Sequence, residues 1–240
     1  MTCTDQTTIG EIVAADYRAA AIFERYGIDF CCRGARTLRE GCAAAGVAAD
    51  EVRRDIDALP AASGAAPRFD EWDARRLIEE IVSTHHAYVR AALPRLIALA
   101  RKIAQVHGAR HPELARVADL VAAVAAEMTT HMMKEEQILF PYIVRLADAA
   151  AAGTSVPSAP FGSIVNPIRM MEAEHESSGN AMVEIRQLTG GYTPPADACD
   201  TYRVCLKELD AFERDLHAHV HLENNILFPK AVEHERRRGL

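Results

Sequence analysis

Residues 131–141 read HMMKEEQILFP, and residues 219–229 read HVHLENNILFP. Both reduce to H-x-x-x-E-x-x-I-L-F-P. On a helix, a spacing of four puts histidine and glutamate on one face, one turn apart. An imidazole and a carboxylate so placed reach one metal ion. Ile, Leu and Phe fill the next turn with bulk. Each proline is expected to bend or end its helix, because proline removes a backbone hydrogen bond and crowds the preceding turn. A duplication made only for packing explains the apolar half of the pattern. It does not explain a histidine and a glutamate held in register twice, since both are costly to bury unpartnered. Metal binding explains them.

The chain has 240 residues, a net charge of -7 and 49% apolar residues. It is rich in Ala, Leu, Glu and Arg, and its Gly and Pro gather between segments, which predicts an all-α protein. The acidic balance speaks against nucleic acid, which asks for a basic face. No stretch approaches the roughly 18 consecutive apolar residues of a membrane span. The opening MTCTDQTT lacks a positive segment followed by an apolar core, so no signal peptide is expected. Six cysteines in a chain of this length do not form a secreted disulfide framework, which predicts a cytoplasmic protein with reduced thiols.

Residues 1–60 read as a small helical domain. Thr8 and Thr37 are placed to cap helices, as are Asp16 and Asp50, and Gly27 and Gly46 to stop them. Large apolar residues are few there, so the domain is expected to lean on a partner surface or a second copy of itself. It contains Asp29-Phe30-Cys31-Cys32-Arg33-Gly34. A thiol near a helix start is reactive, which offers redox or metal chemistry at Cys31 and Cys32; small buried filler is the competing reading. Cys3, Cys42, Cys199 and Cys205 have no partner spacing and read as filler. Residues 61–70 read as a linker. Residues 71–240 hold four long helical segments, near 71–107, 112–147, 166–188 and 197–229, with a flexible connection at 148–163 and a charged, solvated tail, EHERRRGL. Four such helices make a four-helix bundle.

Two of the four carry H-x-x-x-E, so the others should supply matching ligands. His86 lies 45 residues before His131, and His175 lies 44 before His219. His85 competes with His86; pair distance does not separate them, and flanking Val82, Val89 and Pro94 favour His86. His217 and His221 lie about 200° around the helix from His219 and read as exposed. His107, His111 and His234 read as solvated. The ligand set is then His86, His131, Glu135, His175, His219 and Glu223. Four imidazoles and two carboxylates exceed one tetrahedral zinc and suit two five- or six-coordinate ions. The economical arrangement gives each ion two histidines, lets both glutamates bridge, adds an oxide or hydroxide bridge and leaves a position open. Iron suits this set best, with manganese or zinc as alternatives. Glu174 and Glu136 sit beside ligands and point about 100° away; they are outer-sphere or surface residues, surface being favoured for Glu136.

DFCC at 29–32, HMMKEEQILFP at 131–141, MEAEH at 171–175 and HLENNILFP at 221–229 resemble the motifs of the iron–sulfur cluster repair di-iron proteins (the RIC family). The resemblance covers nearly the whole chain. It implies a hemerythrin-like four-helix bundle behind a small helical N-terminal domain with a Cys-Cys motif. It implies His86 rather than His85, an oxo-bridged pair of irons on the six ligands above, and an acidic position near the centre at Glu174. The family usually has Gly after the Cys pair, where this chain has Arg33. The resemblance implies restoration of iron–sulfur clusters damaged by nitric oxide or peroxide, by iron donation or redox chemistry, with Cys31 and Cys32 passing iron or electrons. Damaged iron–sulfur proteins are the expected partners, nitric oxide or dioxygen possible ligands, and monomer or homodimer the expected state. The competing readings are nitric oxide reduction at the di-iron centre, a hemerythrin-like carrier or sensor of dioxygen or nitric oxide, and a zinc-stapled bundle.

Overall fold

The computed structural model describes residues 4–59, 67–155, 159 and 161–237. The described chain is all-α. Helices α1 (Ile9–Ala15), α2 (Ala19–Arg25), α3 (Leu38–Ala45) and α4 (Ala49–Asp57) come first. The rest forms four long helical runs. The first joins α5 (Ala74–Glu80) to α6 (Ala87–His107), the second α7 (Glu113–Lys134) to α8 (Phe140–Ala152). The third is α9 (Val165–Leu188), and the fourth joins α10 (Asp200–Leu222) to α11 (Phe228–Arg236). No described helix is long and apolar enough to cross a membrane. The expected linker falls outside the described residues as far as residue 66, as do Cys3 and Pro60.

Chain contacts divide the molecule into two compact units. One comprises residues 80–142 and 166–216 and is a bundle of four helical stretches. Its interior is a stripe at alternating three- and four-residue steps, the helical period. On α7 the stripe runs Leu114, Val117, Val121, Val124, Met128 and then His131, all buried. On α10 it runs Tyr202, Cys205, Leu209, Phe212 and Leu216, each 88 positions after its α7 counterpart (114 and 202, for example). His219 continues the α10 stripe as His131 continues the other. The same holds one helix earlier: Val89, Leu93 and Leu96 follow His86 as Ser178, Met182 and Ile185 follow His175, 89 positions on, and all are buried. The duplication therefore covers the packing of a whole helical hairpin.

The turn between α9 and α10 is longer than a simple stop at Gly190-Gly191. Gly190, Gly191 and Tyr192 all have positive φ, and Tyr192 is the one described non-glycine residue that does. Its hydroxyl donates to Glu213 Oε2 at 2.7 Å, and Arg186 Nε donates to the same oxygen at 2.9 Å. Those two donors hold the buried Glu213 carboxylate and offset the cost of the left-handed backbone.

The second unit comprises residues 1–79, 143–165 and 217–240. Thr8 and Thr37 each form a reciprocal capping box, with Glu11 and Glu40. Gly27 and Gly46 stop their helices at φ 66° and 71°. Asp16 bonds the Arg18 amide just ahead of α2, whereas α4 starts at Ala49 and Asp50 lies in its first turn rather than at its cap. The surface on which α1–α4 lean belongs to the same chain. Tyr17 and Phe30 pack on His221 at ring distances of 6.1 and 5.8 Å, and His217 Nδ1 meets Glu24 at 3.2 Å. The C-terminal tail is not simply solvated. α11 extends to Arg236, and the buried Glu235 accepts from Ser163 Oγ at 2.6 Å and from the Ile164 amide at 2.8 Å.

Pro141 and Pro229 do not end their helices. Ahead of each, the helix widens into a π turn, Glu135–Leu139 and Glu223–Leu227. Phe140 N–H donates to the Glu135 carbonyl and Phe228 N–H to the Glu223 carbonyl, five residues back. A proline has no N–H for the carbonyl four residues back. The wider turn absorbs that loss, and the helix runs on into α8 or α11. Such π turns cluster at functional sites. A third, Ile81–His86, leads into α6.

Candidate metal centre

In the four-helix unit His86, His131, Glu135 and His175 are all fully buried. Glu135 Oε2 lies 3.4 Å from His86 Nε2 and 3.3 Å from His131 Nε2. His175 Nε2 lies 2.9 Å from His131 Nε2. Neither Glu135 oxygen accepts a hydrogen bond from a described residue. A buried ionised carboxylate without donors costs several kcal/mol in order of magnitude, a cost that a bound cation would offset.

The outer nitrogens show what that is. His86 Nδ1 bonds Glu136 Oε1 at 2.6 Å, and His131 Nδ1 bonds Glu174 Oε2 at 2.8 Å. A carboxylate accepts, so each Nδ1 carries the proton and each Nε2 presents a lone pair inward. Lone pairs of His86 and His131 then converge on Glu135, which is the donor chemistry of a cation site. Each outer carboxylate is itself held by a cation: Arg90 donates to Glu136 and Lys134 to Glu174. Burial pushes both carboxyls up, but hydrogen bonds from these histidines and cations outweigh it and hold both below the usual glutamate range. The surface reading of Glu136 is corrected. It turns off the ligand direction by about 100°, and that direction faces His86 on the neighbouring run. Phe140 stacks on the His86 ring at 5.8 Å. His85 turns instead to Asp215, 2.9 Å away.

In the other unit the end of α10 carries His219 and the π turn after it opens on Glu223, both buried, with Nε2 to Oε1 at 3.0 Å. The two residues after Glu223 are where the motif copies differ, Asn-Asn against Glu-Gln. Asn225 Nδ2 donates to the carbonyls of Phe30 and Cys31, both at 3.1 Å, and Asn224 Nδ2 to Cys31 at 3.4 Å. Gly10 and Gly34 make room for this grip. A Cβ on Gly34 would fall 2.2 Å from Asn225 Oδ1, and one on Gly10 2.7 Å from it. His221, expected to be exposed, is buried beside the loop, and burial pushes its imidazole down to about 4. It faces away from His219, as the helical period requires, but the N-terminal helices cover that side.

The Cys-Cys segment sits in a turn ahead of α3. Asp29 Oδ1 accepts from the amides of Cys31 and Cys32 at 3.1 and 2.9 Å, and the two sulfurs are 3.8 Å apart. Donor atoms of Asp29, Cys31 and Cys32 all lie within 4.8 Å of one another, a set that suits a metal ion. The expectation of a thiol activated by a helix start is not met at Cys31. The Cys32 sulfur and burial push the Cys31 thiol well up, so it rests protonated at neutral pH. Arg33 reaches Asp29 at 3.9 Å from an exposed position. At the far end of the four-helix unit, His107 is buried rather than solvated, with Nε2 3.1 Å from Cys199 Sγ. His111 is half-buried and bonds Asp197 at 3.0 Å. No spacing in the sequence signalled either contact.

Residues 77–231 match the hemerythrin HHE cation binding domain family, and residues 5–60 match a domain of unknown function, DUF542. The chain is 37% identical over 235 residues to the iron-sulfur cluster repair protein YtfE of Yersinia pestis (strain Pestoides F), covering 95% of this chain and 97% of that one. The same figures hold for the protein of that name from Yersinia pseudotuberculosis serotype O:1b (strain IP 31758). A hemerythrin domain is an iron-binding helical bundle, and the buried His and Glu donors fit that role. The expected all-α architecture, a hemerythrin-like bundle preceded by a small helical domain, is the one found. With both of its domains matched and this likeness running almost end to end, the chain belongs to the iron–sulfur cluster repair family of hemerythrin-domain proteins.

Proposed function

We propose that this protein restores iron–sulfur clusters damaged by nitrosative or oxidative stress, from a centre of two irons. The residues that would hold them are the six donors of the repeated sequence pattern, His86, His131, Glu135, His175, His219 and Glu223. The observation that carries this reading is Glu135: a buried carboxylate with no hydrogen-bond donor among the described residues, facing the inward nitrogens of two histidines. Bound iron supplies either the metal for a depleted cluster or electrons for its repair. The chain's own residues do the rest. Glu136 and Glu174 orient His86 and His131 and keep their protons on the outer nitrogens. Asn224 and Asn225, next to Glu223, hold the Cys31–Cys32 turn, whose thiols would receive a transferred iron. Damaged iron–sulfur proteins of the cytoplasm are the partners of this reading.

The test is anaerobic. Iron-loaded protein is mixed with a [4Fe–4S] dehydratase inactivated by nitric oxide, and recovery of dehydratase activity is followed. The wild-type chain is expected to restore activity, while His131→Ala and Glu135→Ala fail although their helical content is unchanged. Full restoration by both variants would sink the proposal.

A further inference from the structure

Cys199 stands apart from everything above. It is exposed, whereas Cys31, Cys42 and Cys205 are buried. Its carbonyl accepts the Arg203 amide at 3.1 Å, so it is the N-cap of α10, a helix of 23 residues. Amide groups at a helix start favour negative charge on a neighbouring sulfur. Its sulfur lies 3.1 Å from Nε2 of His107. That ring is only 5% exposed, packs on the buried Tyr202 ring at 5.2 Å, and has no described partner for Nδ1. Among the described residues the hydrogen-bond partner of this buried imidazole is therefore the sulfur, with the His111 ring 6.5 Å away. The nearby carboxylate of Asp197 is engaged by His111 at 3.0 Å and by Arg110 at 3.1 Å. A thiol and a base within hydrogen-bond reach are the parts of an activated nucleophile.

We propose that Cys199 and His107 form a second thiol site, one that exchanges with low-molecular-weight disulfides. The Cys199 proton passes to His107 Nε2 as Sγ attacks one sulfur of the disulfide. A new bond forms to Cys199 Sγ, the small disulfide's S–S bond breaks, and the departing thiolate takes the proton from His107. Cys199 is oxidised to a mixed disulfide, and the departing half is reduced to a free thiol. Cys205, six residues on, is buried in the bundle stripe, so the mixed disulfide is the end product. The site works independently of the iron centre.

The experiment uses the full iron-loaded chain, reduced, freed of reductant and treated with oxidised glutathione. Adducts are mapped on each cysteine by peptide mass spectrometry over time. Cys199 is expected to be modified first, at least about tenfold faster than in the same chain unfolded in urea. His107→Gln is expected to remove most of that advantage with helical circular dichroism unchanged. A folded Cys199 that reacts no faster than the unfolded one overturns the proposal, and so does prior modification at Cys32. A folded His107→Gln protein with the wild-type rate also overturns it. Should that variant not fold, the folded-against-unfolded comparison decides alone.

Discussion

Nε2 of His131 and Nε2 of His175 stand 2.9 Å apart in an interior closed to solvent. Because Glu174 holds the His131 proton on Nδ1, that ring turns a bare lone pair toward its neighbour. With His131 Nε2 as acceptor, His175 Nε2 donates across that gap, and a bound cation would take both lone pairs in place of this one hydrogen bond. Iron at about 1,000 times its dissociation constant should then stabilise the fold by about 4 kcal/mol. Denaturant unfolding of iron-loaded and chelator-stripped protein checks this. Equal midpoints would show that the donors are not held for a metal.

Glu135 extends the argument in the opposite direction. Its carboxylate is useful only with metal and costly without it. Glu135→Leu should abolish iron retention yet raise the stability of the metal-free chain by about 1–4 kcal/mol. Metal analysis and urea unfolding of the stripped proteins read the two effects separately. A stripped variant less stable than stripped wild type would mean that Glu135 is a structural partner first.

Glu174 acts through His131, which it touches at 2.8 Å, and is tethered in turn by Lys134. Glu174→Gln keeps the volume and loses the charge that fixes the imidazole proton. Iron affinity should fall by about 10- to 100-fold, in line with other outer-sphere partners. Competition with a calibrated chelator measures it, and unchanged affinity would refute the positioning role.

The six proposed donors stand out in the sequence because a metal would impose register. His-x-x-x-Glu must fall on one helix face, and the same phase runs back through Val117 and Val124 or Cys205 and Phe212 as core. The residues that escaped are those whose role is decided by a neighbouring element. Glu136 and His221 both point away from the metal side on a 3.6-residue period, which a sequence reads as solvent. The helix carrying His86 occupies one of those directions and the N-terminal helices occupy the other. His107 and Cys199 are separated by most of a hairpin and its turn, so no local pattern joins them. The prolines, expected to bend or end their helices, end neither, for a related reason. Their cost is local, and the π turns that absorb it depend on the whole helix continuing.

At Gly34 the Cys turn packs against Asn225 of the π turn that follows α10. An added Cβ would meet Asn225 Oδ1 at 2.2 Å and the Phe30 carbonyl at 2.7 Å. Gly34→Ala should cost about 1–3 kcal/mol by overpacking. Asn225→Ala removes the atom Cβ would strike, so the double variant should lose less than the two single losses combined. Thermal unfolding of the four proteins gives the coupling. Strict additivity would place the strain elsewhere.

His111 gives the molecule a pH-sensitive contact far from the metal. The hydrogen bond it donates to Asp197 raises its imidazole above the usual 6.5, against some loss of solvation, and Glu113 adds to the rise. A histidine raised on folding stabilises the fold fully below about pH 6.5 and loses that contribution as pH climbs through its folded value. The melting temperature should therefore decline across that window, and less so in Asp197→Asn. An NMR titration of the His111 ring in both proteins checks the cause directly. A ring that titrates at the same pH with and without the Asp197 carboxylate would assign the decline to another group.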